Sequence, residues 1–224
     1  MRARTRFRDR SEAGRRLAAA LERYAKRPNL LVLALPRGGV PVGYEVARAL
    51  NATLDVLLVR KLGVPGHEEL AMGAIASGGV RIVTDEVIAA FGITELELAA
   101  AAAREQEELE RRERTYRDDR PPPVIRDRTV ILVDDGLATG STMRAAALAI
   151  RAQGPEHLVI AVPVAPLETC TALSHDADEV ICATSPEPFF AVGNWYEDFS
   201  QTTDLEVHQL LERAAAAAPS LAWR

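Results

Sequence analysis

Residues 130–142 read VILVDDGLATGST and run into the helix-forming stretch MRAAALAIRAQ. Four branched apolar residues in a row predict a strand buried on both faces. Such strands deliver the residues after them to the C-terminal edge of a parallel sheet, where open α/β folds bind ligands. Asp134 and Asp135 stand at that edge. The turn from Ala138 through Thr139, Gly140 and Ser141 to Thr142 then opens a helix. Several backbone N–H groups and the positive end of the helix dipole thus face one point, which makes a phosphate cradle. Hydroxyls of Thr139, Ser141 and Thr142 add donors, and Gly140 lets the backbone come close. A P-loop would need a lysine here, and a dinucleotide fingerprint would place its glycines directly after the strand. Neither pattern is present. Two acids come first and the phosphate loop second.

Acids suit sugar hydroxyls, so the spacing fits a sugar whose 2- and 3-hydroxyls meet Asp134 and Asp135 while its 5-phosphate lies in residues 138–142. On these residues VILVDDGLATGST resembles the phosphoribosyl pyrophosphate (PRPP) signature of type I phosphoribosyltransferases. The resemblance implies Mg²⁺ on the diphosphate and ribose hydroxyls, contacted by Asp134 and Asp135 directly or through its waters. A strand with an acidic turn and a Ser/Thr helix cap is the plain alternative.

Size and composition set the frame. The chain has 224 residues, 48% hydrophobic and 5% aromatic, with a formal net charge of −5. That suits one α/β domain with an Ala/Leu/Val core, and it offers no basic footprint for nucleic acid. No apolar run of about 18 residues predicts a membrane span, and the start MRARTRFRDR lacks the apolar segment of a secretory signal. Cys170 and Cys182 show neither CxxC nor paired-histidine spacing, so the expectation is a reducing cytoplasm with no zinc site and no disulfide.

Around the central motif, Ser11 is expected to cap a helix to about Arg27, and the stretch FRDRSEAGRRLAAAL resembles the N-terminal segment of bacterial phosphoribosyltransferase-like proteins. Leu30–Leu35 predicts the first buried strand, ending in Arg37-Gly38-Gly39, where a cation and free backbone N–H groups can hold an anion. The resemblance makes this the pyrophosphate loop and puts a cis peptide at Arg37-Gly38. Leu54–Val59 predicts a second buried strand ending in Arg60 and Lys61, both candidates for the pyrophosphate. In LGVPGHEELAMGAI, Gly63, Pro65 and Gly66 argue against regular structure. The resemblance implies a mobile lid there, carrying His67, Glu68 and Glu69.

Residues 80–83 should pair back as a hairpin. Where the family's motif strand is due, residues 84–123 instead predict a short helix and a long one, capped by Thr94 and Glu97. With few apolar positions (Leu96, Leu98, Leu109), this helical insertion is expected to stand off the core, and either to dock on the domain or to mediate homo-oligomer formation. The run βαβ, hairpin, βαβαβ argues a doubly wound, mainly parallel α/β sheet. It forms one domain over 1–224, with the insertion at 84–123 and a small C-terminal hood at 184–202.

The hood, SPEPFFAVGNWYEDFSQTT, gathers aromatics in a chain poor in them. Flat apolar side chains beside carboxylates suit a planar heterocycle, and FFAVGNWYEDF resembles the hood of 6-oxopurine phosphoribosyltransferases. Carried over, Phe190 stacks on a base, Trp195 or Tyr196 lies nearby and Glu197 reads its edge. An aromatic mini-core is the alternative. The phosphate loop points elsewhere: its LATG resembles adenine phosphoribosyltransferases, and Ala138 stands where the 6-oxopurine enzymes carry an Asp. The expected activity is Mg²⁺-dependent transfer of 5-phosphoribose from PRPP to a purine or pyrimidine base. A non-catalytic PRPP or nucleotide sensor on the same fold is the alternative.

Overall fold

The computed structural model describes residues 6–118 and 120–217, with side chains throughout except at Glu68 and Glu69. Five strands, β1 (Leu30–Ala34), β2 (Thr53–Val56), β6 (Thr129–Val133), β7 (His157–Val164) and β8 (Glu179–Thr184), form one parallel sheet in the order β2-β1-β6-β7-β8. β1 and β6 are buried at every position, as continuous apolar runs in a sheet covered on both faces must be. Alternate residues part to opposite sides. Val32, Ala34, Ile131 and Val133 pack into one core with α1 (Arg10–Ala20), α2 (Gly39–Leu50) and α7 (Asp204–Ala217). Leu31, Leu33, Val130 and Leu132 face a second core with α5 (Ser141–Arg151) and α6 (Leu167–Leu173). Register pairs Ala34 with Val133, so the loops after β1 and β6 leave the sheet side by side. That adjacency creates the candidate site.

Three further strands, β3 (Val59–Val64), β4 (His67–Ala76) and β5 (Val80–Val83), make a separate antiparallel sheet in that order. This corrects two expectations. The second parallel strand stops at Val56, and Arg60 and Lys61 belong to β3. The segment expected to be a loose lid is a hairpin, whose glycines assist pairing. Pro65-Gly66 forms the turn with Gly66 at φ 78°, a Pro-Gly pairing suited to a tight turn, and an irregularity at Gly63 absorbs the register shift. His67 opens β4; the side chains of Glu68 and Glu69 lie outside the described ones.

The first helix also differs. Asp9, not Ser11, caps it by accepting from the Glu12 N–H at 2.7 Å, and the helix ends at Ala20 before a short 3₁₀ turn over Glu22–Tyr24. Residues 85–117 do not stand off the core. After α3 (Asp85–Phe91), the capping box Thr94/Glu97 starts α4 (Glu95–Arg117). Leu98, Ala101, Leu109 and Tyr116 recur on one helical face and are buried against β3, β4 and α7. Four residues at the right phase suffice. Arg112 pairs with Glu108 at 2.7 Å, and Arg111 takes the same carboxylate at 2.7 Å.

The cysteines overturn their expectation. Cys170 on α6 and Cys182 on β8 are joined by a disulfide, with Cα atoms 6.5 Å apart. Neighbourhood across a helix–strand layer, invisible in a spacing of 12 residues, brings them together, so they no longer argue for a reducing compartment. No helix among the described residues is long and apolar enough to cross a membrane.

Candidate active site

Asp134 and Asp135 follow β6, but the structure separates their surroundings. Asp134 accepts from the Asp135 N–H at 2.8 Å and lines a cavity of about 130 Å³ with residues 136–143. Asp135 turns the other way, to Arg10 of α1, whose Nε donates to Oδ2 at 2.8 Å. Both residues keep a small opening to solvent within dense protein. Burial raises both carboxyls above the usual carboxylate range, Asp134 further because Asp135 also repels it. Arg10 opposes the shift at Asp135. Among the described residues one guanidinium stands near two carboxylates and bonds Asp135.

Arg10 is the residue that sequence reasoning missed. It is 12% exposed, its guanidinium lies over the Phe199 ring at 4.1 Å, and it donates to the Ser200 carbonyl at 2.7 Å. Only its place in the FRDRSEAGRR stretch could have flagged it. Nothing local ties residue 10 to residue 135.

Residues 138–142 form a turn that runs into the N-terminus of α5. Gly140, at φ 72°, precedes α5, and a methyl group there would meet the Thr169 methyl at 2.9 Å. Thr169 of α6 donates to the Ala138 carbonyl at 2.7 Å and fixes the loop from below. Ala138 and Thr139 are exposed, Thr142 is exposed in the first turn of α5, and the Thr139 and Ser141 hydroxyls lie 3.4 Å apart.

Residues 36–39 press directly on the acids. A methyl group at Gly38 would lie 2.0 Å from Asp135 Oδ2, and one at Gly39 would lie 2.9 Å from the Val133 carbonyl. Only glycine allows this approach. The cis peptide is at Pro36–Arg37, one bond earlier than expected. The remaining cations separate. Lys61 Nζ donates to Ser141 Oγ at 2.7 Å, so β3 brings it to residues 138–142 rather than to residues 37–39. Arg60 pairs with Glu105 of α4 at 2.6 Å. Arg37 reaches toward Asp204 at 3.9 Å, away from the acids.

The hood residues do not line one surface. Tyr196 is 4% exposed, packs on Phe7 and Phe199, and donates its hydroxyl to the Asp135 carbonyl. Burial, and then Asp135, push its phenol far up. Tyr196 is thus a strut of the acid loop and not a wall of a base pocket. Trp195 stacks on Phe189, and its indole N–H is buried with no acceptor among the described residues. Phe190 is 80% exposed, and Glu197 is exposed with its N–H bonded to the Phe7 carbonyl. An aromatic cluster ties residues 7 and 189–199 to the acid loop.

Residues 7–197 match the model of the phosphoribosyl transferase domain. The chain belongs to the phosphoribosyltransferase family. Proteins of two Mycobacterium tuberculosis strains, carrying a provisional phosphoribosyl transferase name, are 46% identical over 208 residues. That alignment covers 93% of this chain and 47% of theirs, so the chain spans about half the length of these curated relatives. The crystal structure of TT1426 from Thermus thermophilus is 42% identical and superposes with a TM-score of 0.83, over 93% of this phosphoribosyltransferase chain and 98% of that one.

A magnesium ion of the kind the family implies fits this donor set in one form only. Among the described residues no group of three or more metal-ligating side chains comes together, which argues against an all-protein cage. Two adjacent carboxylates, whose burial resists ionisation, suit an ion that keeps its waters and is held mainly by substrate oxygens.

Proposed function

We propose that this phosphoribosyltransferase transfers 5-phosphoribose from PRPP to a nitrogenous acceptor, a purine or pyrimidine base, and releases pyrophosphate. The observation that carries it is the register of β1 with β6, which sets residues 36–39 against an acid pair that is itself contiguous with a helix-N-terminal phosphate loop. In this reading residues 138–142 and Lys61 hold the 5-phosphate, Asp134 and Asp135 the ribose hydroxyls, and Gly38 and Gly39 present backbone to the diphosphate. Magnesium, when bound through Asp134 and Asp135 or their waters, screens the charge of the diphosphate.

The C1–O bond to the diphosphate breaks, a C1–N bond forms, and the acceptor's proton goes to solvent or to the leaving group. Positive charge gathers at C1 and negative charge on the diphosphate, so catalysis needs positioning and electrostatic screening rather than a protein nucleophile. Phe190, Trp195 and Glu197 remain the candidates nearest a base. The net charge of −5 disfavours nucleic acid as a partner, and we place the protein in the cytoplasm on the chemistry of its substrates.

One observation favours a second reading, a non-catalytic PRPP sensor. Ala138 offers no acid or base, and the hood aromatics pack on each other. Calorimetric titration of PRPP with Mg²⁺, then a pyrophosphate-release screen over nucleobases, tests both. Binding with release for one base is expected. Binding without release for any base would replace transfer by sensing, and no binding would refute both.

A further inference from the structure

Arg37 leaves its loop on the side away from the acids and enters a pocket of about 110 Å³ between α4 and the start of α7. The walls are Arg37, Arg111, Arg112, Thr115, Tyr116 and Asp204. Three guanidinium groups thus converge from two distant parts of the chain. Two carboxylates oppose them, and both are engaged. Asp204 accepts the Tyr116 hydroxyl at 2.5 Å. Glu108, one turn along α4, takes Arg111 at 2.7 and 3.0 Å and Arg112 at 2.7 Å. Arg37 lies 3.9 Å from Asp204, too far for a hydrogen bond. Three cations against two anions leave a positive pocket on a chain whose net charge is −5.

The chemistry of the ligand is set by the donors. Guanidinium forks on several walls suit an anion with acceptors on all sides, so a phosphoryl group fits better than a flat carboxylate. The size admits one such group and little more. One wall belongs to the loop of the candidate active site: Gly38, next to Arg37, is the glycine whose missing methyl makes room for Asp135.

We propose that this pocket is a phosphate site, which α4 completes by setting Arg111 and Arg112 beside Arg37. The phosphoryl group comes either from the far end of the sugar diphosphate or from a separate phosphate-bearing ligand. The link to that diphosphate rests on the proposed function; the pocket itself does not.

The test is calorimetric titration of inorganic pyrophosphate, in metal-free buffer, into the full chain and three variants. Arg111→Gln with Arg112→Gln, both on the solvent face of α4, should weaken binding roughly tenfold or more. Glu108→Gln, which frees both guanidinium groups, should tighten it roughly two- to fivefold. Arg151→Gln, which breaks an ion pair with Asp178 at the far end of α5, should leave it in place. Repeating the titration in saturating PRPP separates the sources: competition identifies the substrate's own diphosphate, and undiminished binding a separate ligand. Wild-type affinity in the double arginine variant, or no binding by the wild type, would overturn the proposal. So would an equal loss of binding in the Arg151 variant. If PRPP fails to bind while pyrophosphate binding still depends on Arg111 and Arg112, the transferase reading fails and the pocket stands.

Discussion

Two arginines reach buried carboxylates on the same parallel sheet, one at its edge and one at its centre. At the edge, Asp55 of β2 meets Arg117, the last residue of α4, at 2.9 Å; the two side chains are 6% and 4% exposed. Arg117 also donates to Glu113 at 2.8 Å and to the Val56 carbonyl, and the Val56 N–H donates to Asp55 at 2.6 Å. Every strong donor and acceptor there has a partner, so the pair can be sealed from water. At the centre, Arg10 meets Asp135 at 2.8 Å with 12% and 14% exposure, but Asp134 adds a second carboxylate that no arginine claims. The first arrangement is a clamp. The second is short of positive charge and open on one side, which is what a site awaiting a cationic or hydroxyl-bearing ligand requires.

The largest effect expected from breaking this contrast is on activity. Asp134→Asn with Asp135→Asn should lower pyrophosphate release by roughly a hundredfold or more while the chain stays folded; turnover near the wild-type rate would end the catalytic reading of the pair. At the clamp the effect should fall on stability. Arg117→Leu leaves Asp55 buried and unpaired and should cost about 3–5 kcal/mol in urea unfolding, most of it recovered by adding Asp55→Leu. Additive losses would show that the two residues are not coupled.

Arg10→Leu should sit between these. It removes a partly open ion pair and should cost about 1–3 kcal/mol, while PRPP affinity falls more than stability does. Arg10→Lys should restore some affinity but not the contact over Phe199. Equal losses in both measurements would reduce Arg10 to a structural residue.

The smallest effect is a pH slope. Burial raises the folded-state carboxyls of Asp134 and Asp135 above the ordinary value of 3.8, and repulsion by Asp135 raises Asp134 further. The folded chain therefore binds more protons than the unfolded one as pH rises from 3.8 toward the raised values. Stability then falls with pH across that window. Asp134→Asn should flatten this part of a melting-temperature profile, and an unchanged slope would mean that the pair ionises freely.

How much of this was legible depends on the range of the interaction. The buried strands at 30–34 and 129–133, the capping box at Thr94 and the turn at 138–142 are written in neighbouring residues. Each needs only side-chain period, a cap or a turn. The β3–β4 hairpin was misread because Gly63 and Gly66 look like breakers in isolation; paired with a partner strand, they become a bulge and a turn. Tyr196 was misplaced because an aromatic beside an acid looks the same whether it stacks on a ligand or struts a loop. Burial decides, and burial belongs to the fold.

By itself, then, the sequence determined the parallel α/β architecture, the acid pair ahead of a Gly/Thr/Ser turn and the family, since all three rest on contiguous chemistry. Tertiary structure alone decided which partner each acid has. It alone closed the bond between Cys170 and Cys182, sent Lys61 to Ser141 and Arg60 to Glu105, and docked α4 through four apolar residues. Those outcomes join residues far apart in the chain. Their energies depend on what desolvates each group and what charge stands opposite it, and both are set only when the layers pack.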